Sequence, residues 1–250
     1  KVIIPMHCAG QAVNMKKIND LAEQYDLFVL EDAAHAIETV SNTGKVGDTQ
    51  NAAAFSFYAN KNMTTGGEGG ALATNDEQLA DDCRSLRNLC FQPKKRFVHE
   101  RLGWNYRMTN LQAALGLAQL ERLDEFVQRK RRMGKKYTQG LRVLNEVQLP
   151  LEKTDYAENI YWVFGLVLDD SIGFDAEEAI KMLGEKGIGC RPFFCPMNQQ
   201  PVLRKMGFFL NESYPVAERL YKQGFYIPSG TALNSEHINH VTKILIESLK

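Results

Sequence analysis

Two short apolar runs in this sequence end beside residues able to do chemistry. Leu27, Phe28, Val29 and Leu30 run into Glu31 and Asp32, and the run from Ala54 to Tyr58 is followed three residues later by Lys61. Apolar runs of this length, bounded by polar residues, read as buried strands. In an open parallel sheet, ligands bind outside the carboxyl ends of the strands. If both runs are parallel strands, a carboxylate and an amine arrive at one edge of the sheet. A lysine placed there is a candidate Schiff-base nucleophile, because burial disfavours its charged form and frees the amine to attack a carbonyl carbon near neutral pH. A carboxylate that keeps a pyridine nitrogen protonated is the partner that lets pyridoxal phosphate (PLP) act as an electron sink. From spacing alone, the plainer alternative for Asp32 and Lys61 is a surface salt bridge.

Other constellations carry less. The stretch Thr64-Thr65-Gly66-Gly67-Glu68-Gly69-Gly70 either lets backbone approach a ligand or turns the chain before a strand. It lacks the P-loop spacing, so nucleoside triphosphate hydrolysis gains no support. The five cysteines, Cys8, Cys83, Cys90, Cys190 and Cys195, are scattered and lack the close pairing of a zinc site, and His237 with His240 does not complete one. We therefore assign no metal and read the thiols as reduced, in a cytoplasmic protein. Thirty Lys and Arg balance 30 Asp and Glu, for a net charge of zero. That balance argues against non-specific nucleic-acid binding and for a small charged or polar substrate. No apolar run approaches the ~20 residues needed to span a bilayer.

The elements that must position Asp32 and Lys61 follow from periodicity. Strands are expected at 2–6, 27–30, 52–58 and, more briefly, 70–74. A helix over 15–24 places Ile18, Leu21 and Ala22 on one face, and Asn75 caps a further helix whose first turn carries Asp76 and Glu77. Helical spacing, of one long helix or a pair, runs from Thr109 to about Leu141, through Leu111, Ala114, Leu115, Ala118, Leu123 and Phe126, into the basic run 129–132, which reads as a solvated face in preference to a phosphate site. After Pro150 a strand is expected over 160–168, a helix over 175–186 capped at Asp175, a returning strand over 187–191 and a terminal helix over 235–249. Alternating strands and helices make the class α/β, a mainly parallel sheet followed by a smaller α+β domain. The boundary falls near 125–150 and divides the chain into 1–125 and 126–250.

Four motifs in order then carry a resemblance: Glu31-Asp32-Ala33-Ala34-His35-Ala36, Phe55-Ser56-Phe57-Tyr58-Ala59-Asn60-Lys61, Gly67-Glu68-Gly69-Gly70, and 103–114 with Asn105-Tyr106-Arg107-Met108-Thr109-Asn110. Together with 5–11 and 191–197, they resemble the DegT-like, PLP-dependent nucleotide-sugar aminotransferases of fold type I. Within that family they resemble the C4 aminotransferases that make perosamine. The resemblance covers essentially the whole chain. It implies that Lys61 holds PLP as a Schiff base and later shuttles a proton. It also makes Asp32, Ala34, His35 and Ser56 contacts of the cofactor, with Asp32 on the pyridine nitrogen, His35 on O3′ and Ser56 on the phosphate. Asn105 is implied to reach the phosphate of the neighbouring subunit's PLP, in a homodimer with a shared active site. Trp104, Arg107, Arg191 and Phe193 are the substrate candidates. The implied reaction is ping-pong transfer of an amine from glutamate to a nucleotide-linked 4-keto-6-deoxyhexose, GDP-4-keto-6-deoxymannose favoured, with no nucleic-acid or membrane partner. A lysine in place of the histidine of dehydratase relatives favours transamination.

The sequence departs from the family pattern in three places. The Gly66-Gly67 pair adds a glycine to the loop, and Cys195 stands where relatives often carry Tyr. The chain also begins in a strand-like Lys1-Val2-Ile3-Ile4, so the upstream part of the large domain, with its phosphate-cradling loop, is expected to be missing. A dimerising fragment without stable PLP binding is therefore the rival expectation, and a C3 or other-sugar aminotransferase is the alternative within the family.

Overall fold

The computed structural model of the protein describes residues 1–48, 50–92 and 94–249. In chain order the elements are β1 (Val2–Ile3), α1 (Met15–Tyr25), β2 (Phe28–Asp32), β3 (Val40–Ser41), β4 (Gly44–Lys45), β5 (Ala52–Ser56), β6 (Gly70–Ala73), α2 (Glu77–Arg87), α3 (Asn110–Leu120) and α4 (Leu123–Leu141). They continue with β7 (Val147–Gln148), β8 (Ala157–Glu158), β9 (Phe164–Leu168), α5 (Ala176–Glu185), β10 (Arg191–Pro192), α6 (Pro201–Lys205), α7 (Pro215–Gln223), β11 (Gly224–Ile227) and α8 (Ser235–Leu249). The chain divides into two compact units, one of residues 1–128 with 153–162, the other of 129–152 with everything from 163 onward. A single cut between 125 and 126 does not describe this division. Residues 153–162 return to the first unit, where β8 pairs with β3, Val40 opposite Glu158.

In the first unit the main sheet has the order β1-β2-β5-β6, with β1, β2 and β5 parallel and β6 antiparallel to β5. One face of β2 is covered by α1, where Met15 and Ala22 pack with Val29, Ile3 and Ile18. Leu21, expected on that face, is exposed, whereas Met15 is fully buried. Asn14 starts α1 by accepting the Lys17 N–H. Several ends differ from the sequence reading. The first strand stops at Ile3 and resumes pairing with β2 at Met6, opposite Asp32, and β5 stops at Ser56. The cap of α2 is Asp76 and not Asn75, because its carboxylate is the group that accepts the Leu79 N–H. The long helical stretch is two helices, the first opened by a capping box between Thr109 and Gln112. Leu111 and Leu115 on α3 are exposed, whereas Leu123 at the start of α4 is buried with Met63 and Ile160.

Residues 160–162 are not the strand that their composition predicts. The Ile160 N–H donates to Gly10 O, Asn159 Oδ1 accepts the Tyr161 N–H at 2.7 Å, and Tyr161 takes a positive φ of 52°. The segment lies so close to Gly10 that a Cβ there would meet Trp162 N at 2.6 Å and Tyr161 N at 2.9 Å, and Gly10 itself has φ +96°. Sterics and backbone conformation both demand glycine at that position.

The second unit is an antiparallel sheet, β10-β11-β9-β7, packed with α4, α5 and α8 around Tyr137, Leu183, Phe164, Leu166, Phe225 and Leu245. The expected returning strand over 187–191 is only Arg191–Pro192, paired with β11. Asp175 caps α5 in a full capping box with Glu178. His237 is a cap residue of α8: its N–H donates to Asn234 Oδ1 while its Nδ1 accepts the Asn234 N–H. The basic run is not uniformly solvated. Lys130 is buried, its Nζ donates to Ser229 O at 2.5 Å, and burial lowers its pKa to about 8.

The Gly10 contact yields a direct test. Gly10→Ala should lower stability by at least about 2 kcal/mol, the sum of left-handed strain and a backbone clash. The urea midpoint should fall and the emission of Trp162 should change with it; a variant with an unchanged midpoint and spectrum would show that the close approach is not required.

Candidate functional site

The site grows from the parallel pairing of β2 with β5. In this register Asp32 lies opposite Ala54, and the Ala33 N–H continues the ladder to Ala54 O at 2.9 Å. Both strands therefore end on the same side of the sheet, Asp32 closing β2 and Ser56 closing β5. Beyond Ser56 one more bond follows the β5–β6 register before the chain turns. The Phe57 N–H donates to Gly69 O, and the Lys61 N–H closes a turn onto Tyr58 O. The glycine-rich stretch serves this turn. Thr65 Oγ1 donates to Glu68 O at 3.0 Å and sits 2.2 Å from where a Cβ of Gly69 would be. Packing within the protein accounts for that glycine without a ligand.

Three polar groups are presented at this edge. Asp32 Oδ1 accepts the Ala34 N–H at 3.0 Å. Ser56 Oγ accepts the Tyr58 N–H at 3.3 Å, so its own hydroxyl proton is available as a donor. The Lys61 amine lies 4.5 Å from the ring centroid of Trp162. Burial lowers the pKa of Lys61 from its ordinary value, and the Asp32 carboxylate partly opposes that shift. These are the directions expected of a desolvated amine near an anion.

Trp162 organises the site and is the residue that sequence reasoning missed. Its ring stacks on His35 at a centroid distance of 3.5 Å and an interplanar angle of 12°, and its Nε1–H donates to Asn60 O at 2.9 Å. His35 is 5% exposed, and its pKa falls to about 3, first through burial and then through the nearby Lys61 charge. The imidazole is thus neutral across the physiological range. Cys8, on the turn after β1, is coupled to the same edge: burial, then the Asp32 carboxylate, raise its pKa.

The remaining sequence candidates lie elsewhere. Trp104, Asn105 and Arg107 form an exposed segment held to the end of α2, where the Trp104 N–H donates to Leu86 O and the Tyr106 N–H to Arg87 O. Arg107 Nε donates to Asn105 Oδ1 at 2.8 Å, and both line a cavity of about 840 Å³ with Arg84, Arg87 and Gln112. Arg191 and Phe193 belong to the second unit. There the Phe193 ring lies against Gly165 and Gly224, which leave room for it, so its visible role is packing.

The His35 shift fixes a pH dependence. A histidine whose folded pKa is about 3 binds its proton more readily when unfolded, at an ordinary value near 6.5, so stability falls as pH drops from 6.5 toward 3. His35→Gln should shrink the difference between the urea midpoints at pH 7.5 and pH 5. An identical difference in variant and wild type would contradict the buried neutral imidazole.

Comparison with known proteins gives the family of the whole chain. The chain is 36% identical over 250 residues to a GDP-perosamine synthase of Caulobacter vibrioides, covering all of this chain and 66% of that protein. It is 34% identical over 247 residues to a GDP-perosamine synthase of Escherichia coli O157:H7, covering 99% of this chain and 65% of the relative. It thus spans about two thirds of the length of these relatives. Among solved structures, S. venezuelae DesV in complex with a ketimine intermediate superposes with a TM-score of 0.88 at 28% identity, over 99% of this chain and 64% of that one. The fold is accordingly the α/β fold of type I PLP-dependent transferases. The model of the DegT/DnrJ/EryC1/StrS aminotransferases matches residues 1–246, and with Asp32, Ser56 and Lys61 at one sheet edge this chain belongs to that family.

Proposed function

We propose that this chain carries the PLP-binding edge of a sugar aminotransferase that transfers an amine from glutamate to C4 of a nucleotide-linked 4-keto-6-deoxyhexose, with GDP-4-keto-6-deoxymannose as the favoured substrate. The observation that carries the reading is Lys61: an amine made less basic by burial, at the strand edge it shares with Asp32. Similarity to two GDP-perosamine synthases supports the choice of sugar and nucleotide.

The donor set fits PLP. A carboxylate, a hydroxyl proton, a weakly basic amine and a neutral imidazole are the groups that a protonated pyridine ring, a phosphate, a carbonyl carbon and a phenolic oxygen would each require. When bound, PLP supplies an electron sink next to the reacting carbon. Asp32 would hold the proton of the ring nitrogen by charge, Ser56 would donate to the phosphate, and Lys61 Nζ would hold the cofactor and serve as the base that moves the proton at the sugar C4. His35, uncharged, would lie by the phenolic oxygen without adding positive charge.

In this reading the enzyme is a cytoplasmic homodimer, with Asn105 reaching the phosphate of the cofactor in the partner subunit, and it serves polysaccharide biosynthesis such as O-antigen assembly. The exposed apolar residues of 97–120, among them Phe97, Leu102 and Leu111, each more than 80% exposed, support a partner on that face. Among the described residues no helix is long and apolar enough to cross a membrane.

Added PLP should give a near-visible absorption band that Lys61→Ala abolishes and glutamate bleaches, and Lys61→Ala should lower turnover by about 10²- to 10⁴-fold. Absence of the band in wild type would replace this reading with that of a dimerising fragment that does not bind PLP stably. Nitrogen transfer to a dTDP- or UDP-linked keto sugar but not to GDP-4-keto-6-deoxymannose would overturn the substrate choice.

A further inference from the structure

Directly behind Asp32 lies a buried polar network to which nothing above gives a role. Glu31 and His7 are both fully buried. His7 Nδ1 accepts the Val13 N–H at 3.1 Å, so the ring carries its proton on Nε2, which donates to Glu31 Oε2 at 3.0 Å. The other Glu31 oxygen accepts from Asn51 Nδ2 at 3.2 Å, and Asn51 also donates to Asn19 of α1. The backbone repeats the same tie. The Asp32 N–H donates to Pro5 O, and the His7 N–H donates to Asp32 O.

A buried carboxylate is expensive to desolvate and is normally retained only where it is fully partnered. Here the carboxylate is held by two separate stretches, His7 in the turn after β1 and Asn51 just before β5, and Asn51 carries the tie on to Asn19 of α1. They meet one residue before the aspartate that closes β2. Because successive strand side chains point to opposite faces, Glu31 anchors the strand from the face opposite to that on which Asp32 is offered. Past Ile3 the neighbouring segment is no longer a continuous strand, so the side-chain pair secures the end of β2 where the ladder thins.

We propose that His7 and Glu31 are positioning residues for Asp32: the imidazole, oriented by the Val13 N–H, clamps the end of β2 so that the Asp32 carboxylate keeps Oδ1 on the Ala34 N–H. The inference rests on Asp32 as the acceptor for the ring nitrogen in the proposed function. Both residues are fully buried and bonded to other protein groups. Their loss acts through Asp32.

The test compares His7→Phe, His7→Gln, which keeps a donor for Glu31, and the double variant His7→Phe/Glu31→Leu, which removes the buried charge together with its donor and so protects the fold. The first readout needs no cofactor: hydrogen exchange at the Ala34 amide, compared with that at Ala53 in β5. We expect exchange at Ala34 to quicken at least about 10-fold in His7→Phe and in the double variant while Ala53 stays protected, and His7→Gln to restore most of the protection. The second readout is PLP affinity from the Lys61-dependent band, expected to weaken by about 10- to 100-fold in the folded double variant, the range typical when supporting partners are removed. Exchange that rises equally at Ala34 and Ala53, or wild-type Ala34 protection in the folded double variant, would overturn the positioning role. If wild type itself gives no band, the proposed reaction fails, and the exchange comparison still decides the role of His7 and Glu31.

Discussion

Everything at the candidate site depends on the parallel register of β2 against β5. Parallel strands end on the same side of a sheet, and the pairing of Asp32 with Ala54 brings the last residue of β2 to within two residues of Ser56, the end of β5. A slip of one residue would send Asp32 to the face where Glu31 now sits and would bury the wrong carboxylate. The small residues Ala52, Ala53 and Ala54 line the shared ladder, and the Glu31 network locks the other side of β2.

On this frame, two opposed electrostatic effects set the chemistry of Lys61. Burial, including the flat indole of Trp162, removes water from the amine and lowers its basicity, while the Asp32 carboxylate pulls in the opposite direction. Burial prevails for Lys61, and for His35 the two effects act together, since the Lys61 charge adds to desolvation. The result is an edge with one anion, one weakly held proton and one neutral ring. Away from the site, at Lys130, burial alone lowers the pKa of an ammonium hydrogen-bonded to Ser229 O.

Asp32 and Lys61 were legible from the sequence because apolar runs that break at polar residues mark strand ends, a local signal. Trp162 was not legible. It reaches His35 across 127 residues of chain through a non-helical, non-strand turn held by Asn159 and Gly10, and no local pattern announces such a docking. Lys130 was readable in principle: it follows Phe126 by four residues and precedes Met133 by three, which places it on the buried stripe of α4, but a run of four cations masked the period. The leucines of α3 show the converse, since helical spacing of apolar residues marks a face and does not say what covers it. The strand ends at Ser56 and Ile3 were overestimated because turn hydrogen bonds, not composition, end those ladders.

The claim on which the rest turns is that Asp32 and Lys61 share one desolvated site. Its most direct test is the titration of Lys61 Nζ by nitrogen-detected NMR of lysine-labelled protein without added cofactor, with the signal assigned through Lys61→Arg. The account predicts a midpoint below the ordinary lysine value of about 10.4 in wild type, and one lower still in Asp32→Asn, because the carboxylate is what offsets burial. A midpoint at the ordinary value, or one that Asp32→Asn leaves in place, would contradict it.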